Sequence, residues 1–154
     1  MTRYTIEFSV DFLMGKQRPR FNGRSRAAYT PSETVEAEYQ IGVAYRAASI
    51  RRYGRVVRAP RGVPVAVRVD CFKKAPKSMP EYVPKWLRPR IPDTTKPDWD
   101  NSGGKLVSDA LNGIAWDDDA QVTAGHVFKH DRNGVKHDRM DIAVQFDLEE
   151  EEDG

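Results

Sequence analysis

The sequence predicts an α+β fold in which two main helices pack on a mixed sheet of about four strands. Two observations favour this class. Segments of alternating apolar and polar residues occur near the start, in the middle and near the end of the chain, and helical patterns separate them. At 154 residues, the chain is long enough for one domain with a buried core.

The first part of the chain predicts a strand, a loop and a long helix. Residues 4–10 alternate in the manner of a half-buried strand, whereas residues 15–28 lack periodicity and are predicted as a loop. Residues 30–33 (Thr-Pro-Ser-Glu) form a capping-box pattern for a helix that ends at Gly54. The helical spacing is carried by five apolar residues: Val35, Tyr39, Val43, Ala47 and Ile50.

A second strand is predicted over residues 63–72, with Val65, Val67, Val69 and Cys71 on one face and Cys71 in the core. Residues 75–97 are rich in proline and predict a long irregular excursion, which in a compact domain is usually functional. Within it, Trp86 is expected to pack against the domain, with stacking on a nucleic-acid base as the alternative.

The last part of the chain predicts a short helix and two strands. The helix contains the apolar residues 106, 107, 110 and 111 and stops at residues 112–113 (Asn-Gly). Strands follow over residues 122–129 and 140–148, and residues 133–134 (Asn-Gly) predict a hairpin between them. A folded domain of residues 1–148 is expected to end in a disordered acidic tail, residues 149–154.

The charge distribution indicates a polyanionic partner. The net charge is only +2, but five of the 23 acidic residues lie in residues 149–153, so residues 1–148 carry 25 basic and 18 acidic residues. A basic body of this kind favours nucleic acid, because each phosphate that it neutralises releases a counterion. A basic surface that serves solubility alone is the alternative. The candidate DNA-binding residues are Lys16, Arg18, Arg20, Arg24, Arg26, Lys73, Lys74 and Lys96.

Other bulk features indicate a cytoplasmic protein. The single cysteine excludes a disulfide framework within the chain and suits a reducing compartment. The N-terminal segment alternates like a strand and does not resemble a signal peptide. No apolar run approaches the roughly 18 to 20 residues of a membrane span, so no membrane is expected among the partners.

Two acidic clusters flank the short helix. Asp98 and Asp100 are two residues apart just before it, and residues 117–119 (Asp-Asp-Asp) follow it. If the chain folds back, these carboxylates can hold Mg²⁺ or Mn²⁺, which prefer hard oxygen ligands, and Lys105 can stabilise charge on a phosphate. Taken alone, the pair of Asp98 and Asp100 is more typical of helix capping, and residues 117–119 are also typical of a solvated turn. Asp109 is expected to pair with Lys105 four residues before it.

The combined pattern resembles the signature of the RusA family of Holliday junction resolvases, which includes bacterial and phage or prophage enzymes. The resemblance is carried by residues 97–101 (Pro-Asp-Trp-Asp-Asn), Lys105, residues 109–113 (Asp-Ala-Leu-Asn-Gly) and residues 118–122 (Asp-Asp-Ala-Gln-Val). The upstream residues 15–20 and 29–31 are similar to the basic N-terminal motif of the family, although this part is less distinctive.

The resemblance implies a homodimeric, Mg²⁺-dependent endonuclease that cuts four-way DNA junctions symmetrically. By motif position, the metal-binding catalytic aspartates would be Asp98, Asp100 and Asp119, with Asp118 beside them and Lys105 as the catalytic lysine. The family usually places this lysine four residues after the second aspartate, whereas Lys105 comes five residues after Asp100. The sequence suggests an extra loop residue, absorbed by the glycine pair 103–104.

Two other functions compete with this interpretation. A non-catalytic DNA-binding module would need the basic surface alone. A phosphatase of the haloacid-dehalogenase type also uses Asp-x-Asp, but its first aspartate ends an apolar strand near the N-terminus, whereas Asp98 lies two thirds along the chain. A zinc site built from His126, His130 and His137 is disfavoured, because the segment is predicted as a strand and a turn.

Overall fold

A mixed four-stranded sheet and two helices form the α+β fold that the sequence predicted. The computed structural model describes residues 1–16, 20–21, 28–29, 32–78, 86, 90–132 and 135–149. Its strands are β1 (Thr2–Val10), β2 (Arg20–Phe21), β3 (Ala28–Tyr29), β4 (Val65–Phe72), β5 (Val122–Lys129) and β6 (Arg139–Leu148). The first helix, α1, spans Ser32–Tyr53. The second, α2, combines a π-helical part, Asp100–Val107, with an α-helical part, Ser108–Leu111.

The main sheet has the strand order β1-β6-β4-β5. β6 pairs antiparallel with both β1 and β4, whereas β4 and β5 are parallel. Parallel neighbours need a crossover connection. Here that connection runs from residue 73 to residue 121 and contains α2 and both acidic clusters. β2 and β3 form a separate two-stranded ribbon within the segment that was predicted as a loop.

The predicted hairpin between β5 and β6 is wrong, because β4 lies between these two strands. β6 buries Met140, Ile142, Val144 and Phe146 on one face and pairs with a neighbour on each side. β5 pairs with β4 alone at the sheet edge, and none of its residues is buried. Residues 133–134, which carried the hairpin signal, lie outside the described residues.

α1 packs on the sheet through a face other than the apolar row that predicted it. Its buried residues are Thr34, Ala37, Ile41, Gly42, Tyr45 and Ser49, whereas the five apolar residues that carry the helical spacing are exposed. The contact is close at Gly42, which faces the turn after α2. A Cβ atom on Gly42 would lie 2.9 Å from Ile114 Cδ1. The helix ends as predicted, since Gly54 adopts φ +77° and its N–H donates to the Ile50 carbonyl at 2.8 Å.

The core lies between the sheet and the two helices. β4 contributes Val65, Val67, Val69 and Cys71, all buried as the sequence predicted. After α2, the chain turns at Gly113, and Trp116 inserts fully into the core. Within the described residues, no helix is long and apolar enough to cross a membrane.

Candidate functional site

The first acidic cluster lies at the beginning of α2. The Asp98 carbonyl accepts a hydrogen bond from the Asn101 N–H at 3.1 Å and so starts the helix. Its carboxylate receives the Lys96 ammonium, with Nζ 3.0 Å from each oxygen. Asp100 is exposed and makes no hydrogen bond or ion pair with the described part of the chain. Negative charge here is favourable, because the N-terminal end of a helix carries partial positive charge.

The loop that leads to Asp98 is fixed to the end of the sheet where β4 and β5 finish. The Lys129 ammonium donates to the Thr95 carbonyl at 2.6 Å. The Lys73 ammonium donates to Thr95 Oγ1 at 2.6 Å and to the Lys96 carbonyl at 2.8 Å. Lys73 was predicted to contact DNA. In this structure its ammonium positions residues 93–97, here called the strap, which lead to the first acidic cluster.

Asp93 is a site residue that the sequence analysis missed. Its side chain is fully buried, and Oδ1 accepts hydrogen bonds from the Thr95 N–H at 3.1 Å and the Thr95 hydroxyl at 2.7 Å. Oδ2 makes no hydrogen bond within the described residues. An Asp followed two residues later by Thr is a local turn signal. That signal could have indicated the turn, but not the burial.

Lys105 lies in the π-helical part of α2. Each turn of this part closes between residues five positions apart rather than four. The extra residue before Lys105 is therefore accommodated inside a helix, and the expectation of a loop at the glycine pair is wrong. A π-helix has more residues per turn than an α-helix, so residue i+5 follows residue i by about one turn, and Lys105 is expected on the same side of the helix as Asp100. Lys105 is exposed and makes no ion pair with any described residue.

Asp109 pairs with Lys16 instead of Lys105. The Lys16 ammonium lies 3.1 Å from Asp109 Oδ2 and also contacts the Glu38 carboxylate of α1. Partial burial alone would lower the pKa of Lys16. The hydrogen bonds that its ammonium donates to Glu38 and Asp109 outweigh the effect of burial and raise the pKa above its ordinary value. The Lys16 N–H donates to the Asn101 carbonyl at 3.0 Å, so this residue ties the N-terminal segment to α2.

The three carboxylates of the second acidic cluster have different partners. Asp117 pairs with Arg58 and accepts the Arg61 N–H at 3.1 Å. Asp118 caps a short 3₁₀ turn, Asp119–Gln121, by accepting the Ala120 N–H at 2.9 Å. Asp119 accepts the indole N–H of Trp116 at 2.9 Å through Oδ1, and its Oδ2 makes no hydrogen bond to the described residues. Asp119 thus keeps one carboxylate oxygen that no described residue engages.

The two clusters lie at opposite ends of β5 in this chain. Asp93 and Thr95 contact Lys129, the last residue of β5, whereas Asp119 precedes its first residue by three positions. A strand of eight residues is about 23 Å from end to end. No group of three His, Cys, Asp or Glu side chains among the described residues is placed to hold a metal ion. The single chain therefore does not bring Asp98, Asp100 and Asp119 together.

The donor chemistry nevertheless fits a hard divalent cation. Asp100 and Asp119 Oδ2 are oxygen donors without partners among the described residues, and the carboxylate of Asp98 already holds a cation, the Lys96 ammonium. Mg²⁺ and Mn²⁺ need few protein carboxylates, since water or substrate phosphates complete their coordination.

Most of the predicted DNA-binding arginines lie outside the described residues. Arg18, Arg24 and Arg26 are not among the described residues, and of Arg20 the structure gives the strand position alone. Lys74 is exposed. Trp86 is 82% exposed, so it does not pack against the domain as expected, and Trp99 between the two aspartates is 63% exposed.

Carboxylates that hold a divalent cation beside a cationic side chain are typical of phosphodiester-cleaving sites. The chain matches the family model described as endodeoxyribonuclease RusA over residues 13–145. It therefore belongs to the RusA family of nucleases, which act on Holliday junction DNA. A search of curated proteins found no match.

Proposed function

We propose that this chain is a divalent-metal-dependent endodeoxyribonuclease that resolves four-way DNA junctions by symmetric phosphodiester hydrolysis. The proposed metal is Mg²⁺, for which Mn²⁺ can substitute. The proposed active form is a homodimer. Family membership over residues 13–145 supports the nuclease class and the junction substrate. The metal, the symmetry of cutting and the dimer are inferred from the donor chemistry and from the substrate.

The observation that carries the proposal is the π-helical turn that joins Asp100 to Lys105. Its pitch allows for the extra residue and supports a neighbouring placement of the carboxylate and the ammonium. Neither side chain is engaged by the described residues, so both are available to a ligand. A phosphate with its cation would engage both.

Each site residue then has a distinct role. Asp98, Asp100 and Asp119 supply the carboxylates of the metal site, and Asp118 positions Asp119 by capping its turn. Lys105 donates to a phosphate oxygen and balances the charge that develops on it. The bound metal, when present, polarises the phosphodiester and lowers the pKa of a coordinated water.

The separation of Asp119 from Asp98 within one chain motivates the dimer. A four-way junction has two equivalent strands to cut, and a two-fold dimer with two identical sites matches that symmetry. In such a dimer, Asp119 of one subunit can approach Asp98 and Asp100 of the other, so that each site is built from two chains. This arrangement explains why the carboxylates are separated within the chain.

A cleavage assay on synthetic DNA tests the proposal. Four-way, flap and plain duplex substrates are incubated with the protein in Mg²⁺, in Mn²⁺ and in excess chelator. The proposal requires paired incisions in the four-way substrate that chelator abolishes. Tight junction binding without any incision would instead indicate a non-catalytic DNA-binding module.

A further inference from the structure

Trp99 exposes most of its surface in the middle of the first acidic cluster. It lies between Asp98 and Asp100 in sequence and is 63% exposed. Tryptophan usually buries most of its ring in a folded domain, because the indole is large and mainly apolar. The roles proposed above use the two carboxylates and give the indole no part. An exposed aromatic ring beside a binding site suits a ligand with a flat apolar surface.

The backbone that carries Trp99 is held in place on both sides. Trp99 has helical dihedral angles, φ −58° and ψ −35°. The Asn101 N–H donates to the Asp98 carbonyl at 3.1 Å and closes the turn around it. The N-terminal segment packs tightly on this turn, since a Cβ atom on Gly15 would lie 2.9 Å from Pro97 Cβ and 3.1 Å from Asn101 Cβ. The indole is therefore carried by an ordered backbone, which reduces the entropy lost when a ligand binds it.

Cations on either side of the indole in sequence fit the phosphates of the same ligand. The Lys96 ammonium contacts the Asp98 carboxylate, and 84% of its side chain remains exposed. Lys105 is also exposed. Sites for single-stranded nucleic acid combine these two components, because aromatic rings stack on the bases and cations contact the backbone that joins them. The chemistry at this end of α2 thus favours a nucleotide over an apolar protein surface.

We propose that Trp99 stacks on an unpaired nucleobase next to the phosphate that the metal site holds. This inference rests on the proposed function, because that site supplies the phosphate. Inside a duplex, both faces of a base are covered by its neighbours, and unstacking it is unfavourable by a few kcal/mol. The stack is interrupted where the strands of a four-way junction cross. Trp99 therefore contributes to the preference for branched over plain duplex DNA.

Junctions that lack single bases test the proposal without cleavage. Affinity in excess chelator is measured for the wild type, Trp99→Ala and Trp99→Phe. The substrates are an intact junction and a series in which a symmetry-related pair of abasic sites moves through the nucleotides around the exchange point. On the intact junction, Trp99→Ala should bind at least about fivefold more weakly, and Trp99→Phe should stay within about threefold of the wild type, because its ring retains a stacking face.

The abasic series distinguishes stacking from a structural effect of the substitution. At one position of the series, the missing bases should weaken the wild type to the level of Trp99→Ala and leave Trp99→Ala unchanged, because both changes remove the same contact. Trp86→Ala is the matched control, since it removes an indole that is 82% exposed outside the aspartate motif. Any loss that it causes should be the same at every position of the series.

Fluorescence provides a second measurement. The chain has three tryptophans, and Trp116 is fully buried. In a Trp86→Phe background, Trp99 is then the tryptophan that reports on solvent, and saturating junction should quench its emission.

Equal junction affinity of Trp99→Ala and the wild type, or a loss that persists at every abasic position, would overturn the stacking proposal. Unchanged Trp99 emission at saturating junction would also overturn it. Each of these results leaves the nuclease proposal intact, whereas a wild-type chain that binds no junction would overturn both.

Discussion

The buried carboxylate of Asp93 lies 4.0 Å from the ammonium of Lys129, at the end of the sheet from which the strap to Asp98 departs. The same lysine donates to the Thr95 carbonyl, and Asp93 accepts two hydrogen bonds from Thr95. Among the described residues, the partners of the Asp93 carboxylate are Thr95 and Lys129, neither of which is a proposed metal ligand. It fixes the strap five residues before Asp98, so we regard it as a positioning residue.

Replacement of this carboxylate should disturb the site beyond its effect on stability. Asp93→Ala removes both bonds to Thr95 and leaves Lys129 without its anion, which should cost about 1–3 kcal/mol of unfolding free energy. It should also raise the Mg²⁺ concentration for half-maximal cleavage several-fold. Asp93→Asn, which keeps an oxygen acceptor, should recover part of the metal dependence. A wild-type Mg²⁺ titration for Asp93→Ala would remove the positioning role.

Subunit mixing tests whether each nuclease site is shared. Asp100→Asn and Asp119→Asn homodimers should both be inactive. In a mixed dimer with shared sites, one site combines both defects, while the other combines the intact Asp98 and Asp100 of one chain with the intact Asp119 of the other. Co-refolded mixtures should therefore nick junction DNA. Mixtures as inactive as the parents would place all three carboxylates within one chain.

The π-helical part of α2 predicts an unusual tolerance to deletion. Removal of Gly104 should convert this part to ordinary α-helix without moving the buried Leu106 and Leu111, because the tight i→i+4 spacing absorbs the missing residue. The melting temperature of the Gly104 deletion variant should stay at or above that of the wild type. Deletion of Ser108 is the matched control, since it rotates Ala110 and Leu111 out of the core and should destabilise by several kcal/mol. Equal destabilisation by both deletions would contradict the π-helical assignment.

The N-terminal arginines should contribute to junction binding by neutralising phosphates. Replacing Arg18 and Arg20 with alanine should weaken affinity for a four-way junction and reduce the log–log salt slope by roughly 0.9 for each phosphate that is no longer neutralised. Lys16→Ala is a contrasting variant, because its ammonium is already bound by Glu38 and Asp109 and its removal should act mainly on stability. An unchanged salt slope for the double variant would place both arginines away from DNA.

The sequence predicted those features that depend on local pattern. The alternation in residues 4–10 and 63–72 predicted β1 and β4, because alternate side chains of these strands are buried. Strand order was not predictable from the Asn-Gly signal, because β6 pairs with β1 and β4, which are distant from it in sequence. The apolar spacing of α1 did not indicate its packed face either. Close contact with Ile114 requires small residues such as Gly42, which carry little apolar signal.

The candidate site was likewise predictable only in part from the sequence. The spacing of the aspartates and Lys105 was visible in the sequence, but the π-helical pitch that accommodates the extra residue needed the backbone. Asp93 was missed because its role depends on Lys129, which lies 36 positions later and reaches it across the sheet end. Lys16 and Lys73 looked like phosphate-binding residues from charge alone, although tertiary partners engage both ammonium groups.

The most direct test of the nuclease proposal is cleavage of a labelled four-way junction by the wild-type chain and by Asp100→Asn, with binding measured in parallel. The wild type should cut two strands symmetrically in Mg²⁺. Asp100→Asn should bind the junction at least as well, because a negative charge is removed, and should cut it at least about 100-fold more slowly. Wild-type cutting by Asp100→Asn, or cutting by the wild type in excess chelator, would contradict the account.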